Sequence, residues 1–363
     1  MTRILTRRVP EGTTLITGGA GFVGSNLAHR IASAGGKVIL FDNLARAQVQ
    51  YNAQKLLEQH GRRIELVIGD VRNTAALREV VARADRVVHL AAQVAVTTSL
   101  VDPMEDFEIN ARGTLNVLEA IRSQEREIPL LFTSTNKVYG ALPDIPLELR
   151  DFRWEPRDVA LRITGLSEDR SLDFHSPYGC SKGAADQLVL DWSRSYGLPT
   201  VVFRMSCIYG PRQFGTEDQG WVAHFIIRAL RGESIVLYGD GMQTRDVLFV
   251  EDLLDAMELA FERMDDVRGR AFNVGGGPSN AVSLVELLGL LSEITGNTPE
   301  TTYAPARVGD QRWYVSDARR IREALGWSPR TRVRDGVERL VAWLYEPLKK
   351  ASGDRSAFAG ALP

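Results

Sequence analysis

Thr17-Gly18-Gly19-Ala20-Gly21-Phe22-Val23-Gly24 is the stretch that decides the fold. It follows the apolar run Thr13–Thr17 directly and opens the helical stretch Ser25–Ala34. A strand, a glycine turn and a helix in that order bring free backbone N–H groups and the positive end of a helix dipole to one point, where a pyrophosphate can sit. Gly18 permits the tight turn, Gly21 lets the backbone approach the phosphates, and Gly24 is expected to let the helix pack close to the sheet. Phe22 and Val23, inside this glycine stretch, are counted with it as cofactor-binding residues. A glycine-rich turn alone is a weak signal, but here an acid, Asp42, ends the second apolar run, about 20 residues further on. Its carboxylate suits the adenosine ribose hydroxyls and repels a 2′-phosphate, so the expected cofactor is NAD rather than NADP. Arg46 is taken as a solvated loop charge, the alternative being a partner for that phosphate.

Working outward, further apolar runs occur at Lys37–Phe41, Ile64–Ile68, Arg86–Leu90, Leu130–Thr133 and Thr200–Phe203. Runs of this length, apolar on both faces, suit strands buried on both sides of a parallel sheet. Helical stretches such as Thr74–Ala82 lie between them, and alternating β and α implies a doubly wound, Rossmann-type α/β sheet. Beyond Arg204 glycine and proline punctuate the chain, and Val282–Thr295 reads as an amphipathic helix opened by Ser283 and stopped by Gly296. The expected division is a dinucleotide-binding domain over 12–204, with a later strand from about 240–275, and a smaller C-terminal α/β substrate lobe over 205–240 and 275–345. Residues 346–363 are expected to form a mobile tail.

Lys+Arg 44 against Asp+Glu 46 leaves a net charge of −2, so no basic surplus argues for a nucleic-acid partner. No apolar run is long enough for a membrane span, and the opening Met1–Arg8 has no signal-type core. The expectation is a cytoplasmic enzyme. The two cysteines make neither a disulfide framework nor a metal site.

The chemistry is carried by His175-Ser176-Pro177-Tyr178-Gly179-Cys180-Ser181-Lys182. Ser176 suits an N-cap and Pro177 the first helical position, which puts Tyr178 and Lys182 one turn apart on a single helical face. A phenol near its ordinary pKa of ~10 is a poor base at neutral pH, and a neighbouring ammonium together with a nicotinamide cation would favour the phenolate. The bland alternative is an exposed Tyr/Lys pair, since this spacing is common. Cys180 falls on another helical face and is read as packing.

With the glycine turn and this pair together, the chain resembles the extended short-chain dehydrogenase/reductase family of nucleotide-sugar epimerases and dehydratases, from about residue 12 to 345. Further matching stretches are Asp42-Asn43-Leu44, Gly69-Asp70-Val71, His89-Leu90-Ala91-Ala92, Asn110 with Gly113-Thr114, Tyr209-Gly210-Pro211, Arg245-Asp246 and Arg307-Val308-Gly309-Asp310. The resemblance implies that Asn43, Asp70, Val71, Leu90, Ala91 and Ala92 line the cofactor, with a turn-forming role open for Asp70. It also implies that Thr135, in Ser134-Thr135-Asn136-Lys137-Val138-Tyr139-Gly140, holds the reacting sugar oxygen beside Tyr178, with Ser134 the alternative. Dehydratases of the family carry an Asp-Glu pair where this chain has Asn136-Lys137, so loss of water is not expected. The same segment, with Gln93–Ser99, Phe174–Gln187, Arg212-Gln213-Phe214 and Asp218–Trp221, looks most like the CDP-paratose 2-epimerase (CDP-tyvelose epimerase) branch.

That branch implies inversion at C2 of a CDP-linked deoxyhexose through a transient 2-keto sugar. The common 4-epimerases usually carry an Asn where this chain has Cys207, which weakens the alternative of a UDP-hexose or UDP-hexuronate 4-epimerase. An NAD-binding scaffold without activity is the alternative from another class, although such proteins tend to lose the Tyr or Lys. Thr97, Thr98 and Ser99 are read either as sugar ligands or as helix caps, and Asn136 and Cys207 as pocket residues. Arg307 and then Arg245 are the candidates for the diphosphate, with an ion pair to Asp246 or Asp252 open for Arg245. Tyr238 either stacks on the base or packs in the core, and Gln219, Trp221 and Asp310 complete the expected nucleotide pocket. By analogy with relatives, the helix from Pro177 and one over Glu105–Arg122 are expected to pair in a homodimer.

Overall fold

The structure, a computed structural model, describes residues 12–46, 48–307 and 309–352. Its centre is a seven-stranded parallel sheet running, edge to edge, Arg270–Val274, Thr200–Met205, Leu130–Thr135, Arg86–His89, Thr13–Thr17, Lys37–Asp42 and Ile64–Ile68. The chain leaves Thr13–Thr17 in one direction for two strands and then returns to its other side at Arg86–His89. At such a reversal the carboxyl ends of neighbouring strands part and open a crevice. Both faces of the sheet are dry: Ile16, Leu40, Val88 and Phe203 belong to one buried layer, Leu15, Ile39, Phe132 and Val202 to the other. This is the two-sided burial that the unbroken apolar runs require.

All six expected strands form, Thr13–Thr17 and Ile64–Ile68 with the expected ends and the other four with shifted ones. Arg86–His89 stops one residue early, whereas Leu130–Thr135 and Thr200–Met205 continue two residues past their apolar patterns. Pairing of Ser134 with Arg204 and of Thr135 with Met205 extends the ladder through polar residues. The extension sets Thr135 at the last rung, at the mouth of the crevice. The polar side chains are tolerated because they are matched. Arg204 forks onto Asp186 with two 2.9 Å hydrogen bonds, both residues being almost wholly buried. The Tyr139 hydroxyl is 3.2 Å from Arg204 and donates to Asn273 at 2.8 Å. The network ties the helix Ser176–Tyr196, which carries Tyr178 and Lys182, to three points of the sheet and its following turn.

The second lobe is built around Thr244–Phe249, which pairs with Cys207–Tyr209, Ala281–Ser283 and Trp313–Tyr314. Beside it Ile235–Tyr238 pairs with Thr301–Ala304, and the helices Trp221–Arg231, Leu284–Thr295 and Val333–Ser352 pack around a separate apolar core. Ser283 caps Leu284–Thr295 through a reciprocal box with Glu286, and Gly296 ends the helix at a φ of 72°. Val282, expected in that helix, pairs with Arg245 in a strand instead.

Three further differences from the sequence expectation have clear causes. The hairpin Leu147–Arg150 and Arg153–Pro156, assigned to the dinucleotide-binding part, binds the second lobe: Trp154 N donates to Met242 O at 2.9 Å, and Arg153 pairs with Glu286 at 2.6 Å. The helix expected over Glu105–Arg122 is Pro103–Phe107 and Gly113–Arg122, joined by a π-helical turn at Glu108–Arg112. The widened turn sends the Asn110 side chain to Gln93, with hydrogen bonds of 2.9 and 3.0 Å to its backbone. Of the expected tail, residues 346–352 continue the last helix and 353–363 lie outside the described residues. Among the described residues no helix is long and apolar enough to cross a membrane.

Candidate active site

The glycine turn has the close contacts that a phosphate cradle needs. Gly18 lies at a φ of 67°, and a Cβ there would come within 2.7 Å of Ala91 N. Gly24 faces the turn's own backbone: a Cβ would meet Gly18 O at 2.6 Å and Gly19 Cα at 2.7 Å. It therefore brings the first helical turn onto the loop, rather than the helix onto the sheet as expected. The helix begins at Phe22, and Val23 lies in its first turn. Leu90 N donates to Thr17 O at 3.1 Å and Ala91 N to Thr17 Oγ1 at 3.3 Å, so the Leu90-Ala91-Ala92 loop borders the turn. Val71 is buried against Gly113.

At the far end, Asp42 accepts hydrogen bonds from Ala20 N at 3.0 Å and Leu44 N at 2.9 Å, while burial pushes its carboxyl up. The helix N-terminus, a cradle that side chains would fill and a part-buried acceptor at the second strand end together fit a dinucleotide. Asp70 is otherwise engaged. Arg72 forks onto it and Asn43 donates at 3.0 Å, holding its carboxyl well below the usual range. It acts as a turn former, which leaves little acceptor capacity for adenine. Arg46 is exposed, as expected of a loop charge, and its charge is felt at Asp42 and Tyr178.

Tyr178 lies in the first turn of its helix and is nearly buried. Ser176, at a φ of 67° unusual for a residue with a side chain, caps the turn by accepting from Gly179 N at 3.2 Å. Ser99 accepts from Tyr178 N at 3.2 Å and donates to Val96 O at 2.7 Å. Its fully buried hydroxyl thus supports Tyr178 and is not available to a sugar. The Tyr178 phenol lies beside Thr135, whose hydroxyl accepts from Lys137 N at 3.2 Å. Burial pushes the phenol up to about 12; Thr135 and Arg46 pull it down and Asp106 pushes it further up. Lys182 sends its ammonium to Thr133 O at 2.7 Å, 4.2 Å from the Phe132 ring centre, and burial lowers its pKa to about 7. Lys182 thus stands one turn from the phenol, with its own charge disfavoured by the same burial.

A buried network behind this pair was not foreseen. Asp106, fully buried, accepts from Gln93 at 2.9 Å, Asn110 at 3.2 Å and Ser181. Its carboxyl is raised by burial. The sequence marked Gln93 and Asn110 only as matching residues, because a π-helical turn leaves no periodicity signal. His89, bridging Thr17 and Thr114, is pushed down to about 3 by burial and stays neutral.

On the substrate side, Thr97 has a buried hydroxyl without a protein partner, which suits a sugar ligand better than the exposed Thr98 does. Asn136 donates to Gln311 at 3.3 Å. Cys207 is hydrogen-bonded by Trp221 and lies near Arg245 and Lys137. Arg245 is buried on Asp310 at 2.6 Å, with Gln311 O at 2.5 Å, so its ion pair is with Asp310 and not with Asp246 or Asp252. Lys137, absent from the expected set, donates to Gly309 O at 3.1 Å and sits 3.7 Å from Asp310. It was overlooked because it was weighed only as the loss of a carboxyl. Arg307 lies over the Tyr238 ring and pairs with Glu217. Gln219 pairs its backbone with Thr216. Cys180 is exposed rather than packed.

A parallel sheet with a phosphate-binding turn at its crevice, and a helix setting a Tyr and a Lys beside it, define a dinucleotide-dependent enzyme class. The chain belongs to the NAD dependent epimerase/dehydratase family, which it matches over residues 14–275. Its cofactor is NAD, and it is a nucleotide-sugar epimerase. It is 43% identical over 336 residues to the CDP-paratose 2-epimerase of Salmonella typhi, covering 91% of this chain and 98% of that protein. The UDP-glucose 4-epimerase of Thermotoga maritima, solved with UDP-glucose, superimposes with a TM-score of 0.78 at 30% identity, covering 93% of this chain and 99% of the other. That of Thermus thermophilus, solved with NAD, gives 0.75 at 31%, covering 92% and 99%.

The buried Lys182 makes a stability prediction with a definite sign. Its folded pKa of about 7 lies below the ordinary 10.5, so between those values the unfolded chain binds the proton that the folded chain has released. Stability must then rise with pH across that window. Urea unfolding of the cofactor-free protein at pH 7 and pH 10, compared with Lys182→Met, should show this rise only in the wild type. An equal pH response in both would contradict the burial of this ammonium.

Proposed function

We propose that the protein inverts C2 of a CDP-linked deoxyhexose. The observation that carries the chemistry is the nearly buried Tyr178 phenol beside Thr135, at the last rung of its strand, with Lys182 one turn along the same helix. NAD, held by the glycine turn and Asp42, would supply a hydride acceptor for C2 and the donor for its return. Thr135 holds the sugar 2-hydroxyl, and Tyr178, as phenolate, takes its proton as the C2–O bond becomes a ketone. The 2-keto sugar turns in the pocket and presents its other face. Tyr178 then returns the proton to the C2 oxygen as the C2 carbon is reduced. Lys182 fixes the helix against Thr133 O and lends positive charge to the cofactor side.

The choice of C2 and of the CDP group is supported by the 43% identity to a CDP-paratose 2-epimerase, and by Asn136 and Lys137 where dehydratases carry carboxylates. Thr97, Asn136 and Cys207 belong to the sugar pocket, and Arg307, with Tyr238 and Trp221, to the nucleotide pocket. CDP-paratose incubated with the NAD-loaded protein should give a product whose NMR couplings change at C2 alone, and Tyr178→Phe should slow this by roughly 10²- to 10⁴-fold. Inversion at C4 of a UDP-hexose, with CDP-paratose untouched, would replace this assignment by the 4-epimerase alternative.

We also propose a homodimer through the apolar surface that Phe107, Ala111 and Leu115 share with Ala184 and Leu188, around a cavity of about 480 Å³. Nearby Met104 and Val101 are exposed as well. Light scattering should give twice the chain mass for the wild type and a single chain for Leu188→Glu. A wild-type monomer would refute the pairing.

A further inference from the structure

Arg307 does not wait in an open pocket. Its guanidinium carbon lies over the Tyr238 ring, 3.8 Å from the ring centre. One nitrogen donates to Glu217 Oε1 at 3.2 Å, and another lies 3.0 Å from Glu217 O and 3.5 Å from Asp218. The Tyr238 hydroxyl donates to the same Glu217 carboxylate. A planar group is thus held on an aromatic face with its N–H edge turned toward an acid.

The diphosphate of a nucleotide sugar is the natural partner for this guanidinium: Arg245 is buried on Asp310 and Gln311 O, whereas the partners of Arg307, Glu217 and Asp218, are exposed and exchangeable. When Arg307 turns to the phosphates, the Tyr238 face and the Glu217 carboxylate come free together. The phosphates cannot occupy that place, since Glu217 and Asp218 would repel them. What fits is a flat, uncharged ring that presents an N–H donor where the guanidinium edge had been. Among pyrimidines, cytosine offers its exocyclic N4 amino group at that edge, whereas uracil offers the acceptor O4.

We infer that Glu217 is the base-reading residue: it accepts a hydrogen bond from the N4 amino group of a cytosine stacked on Tyr238 and rejects uracil by opposing its O4. The inference rests on the CDP-sugar assignment and supplies its physical origin. A charge-assisted hydrogen bond exchanged for an acceptor–acceptor clash is worth roughly 10- to 100-fold in affinity ratio.

The test is calorimetric titration of the NAD-loaded protein with CDP and with UDP. The wild type should bind CDP more tightly by roughly 10- to 100-fold. Glu217→Gln can turn its amide N–H to uracil, so the CDP/UDP ratio should fall to about one or below. Loss of a negative charge near the diphosphate strengthens both nucleotides alike and cancels in the ratio. Asp218→Asn removes the same charge one residue away and should keep the wild-type ratio. A preference for CDP that survives in Glu217→Gln, or collapses in Asp218→Asn instead, overturns the role of Glu217 and leaves the CDP assignment standing. Equal binding of CDP and UDP by the wild type overturns the CDP assignment itself, and this role with it.

Discussion

A phenol that must lose its proton has been placed where water cannot help it. Burial pushes Tyr178 up to about 12 and Lys182 down to about 7, so the same dry surroundings disfavour both charged forms. The rest of the crevice holds this arrangement in place. Ser99 anchors the Tyr178 backbone, Thr133 O anchors the Lys182 ammonium, and the Asp186–Arg204 pair pins their helix to the sheet. Thr135 and Arg46 favour the phenolate, against burial and Asp106. Under the proposed mechanism the positive charge of oxidised nicotinamide would add the stabilisation that lets Tyr178 act as a base at neutral pH. Reactivity is thereby tied to cofactor occupancy, which suits a reaction in which the hydride must return to the sugar.

The substrate lobe follows a related logic. Its cations are already answered by carboxylates: Arg245 and Lys137 by Asp310, Arg307 by Glu217 and Asp218. Under the proposed assignment a substrate diphosphate would bind by exchange of partners rather than by filling an uncompensated positive pocket. Such exchange lowers the gross affinity for any polyanion and leaves discrimination to the shape and hydrogen-bonding edge of the remaining groups. The short hairpin at Leu147–Pro156 fastens this lobe to the turn that follows Thr135, so the two halves of the site share one scaffold.

The sheet was legible because its strands are apolar on both faces and the glycine turn has few other uses; the Tyr178/Lys182 helix was legible from its Pro177 start and one-turn spacing. Polar strand ends were not. Ser134, Thr135 and Arg204 read as loop, but cross-strand pairing and the Asp186 carboxylate make burial tolerable. Long-range polar partners were equally hidden. Nothing local to Arg245 announces Asp310, and nothing local to Arg307 announces Glu217, since each pair is joined only when distant segments meet. Ser99 shows the same limit: it suggested a sugar ligand and supports a backbone.

The most direct test is a pH titration of phenolate ultraviolet absorbance, with Tyr178→Phe as the blank, in the cofactor-free and the NAD+-loaded protein. The Tyr178 signal should stay silent to above pH 10 without cofactor, and should appear at least about two units lower once NAD+ is bound. A signal that titrates near neutrality without cofactor, or that NAD+ leaves unmoved, would contradict the dependence of this base on a bound positive charge.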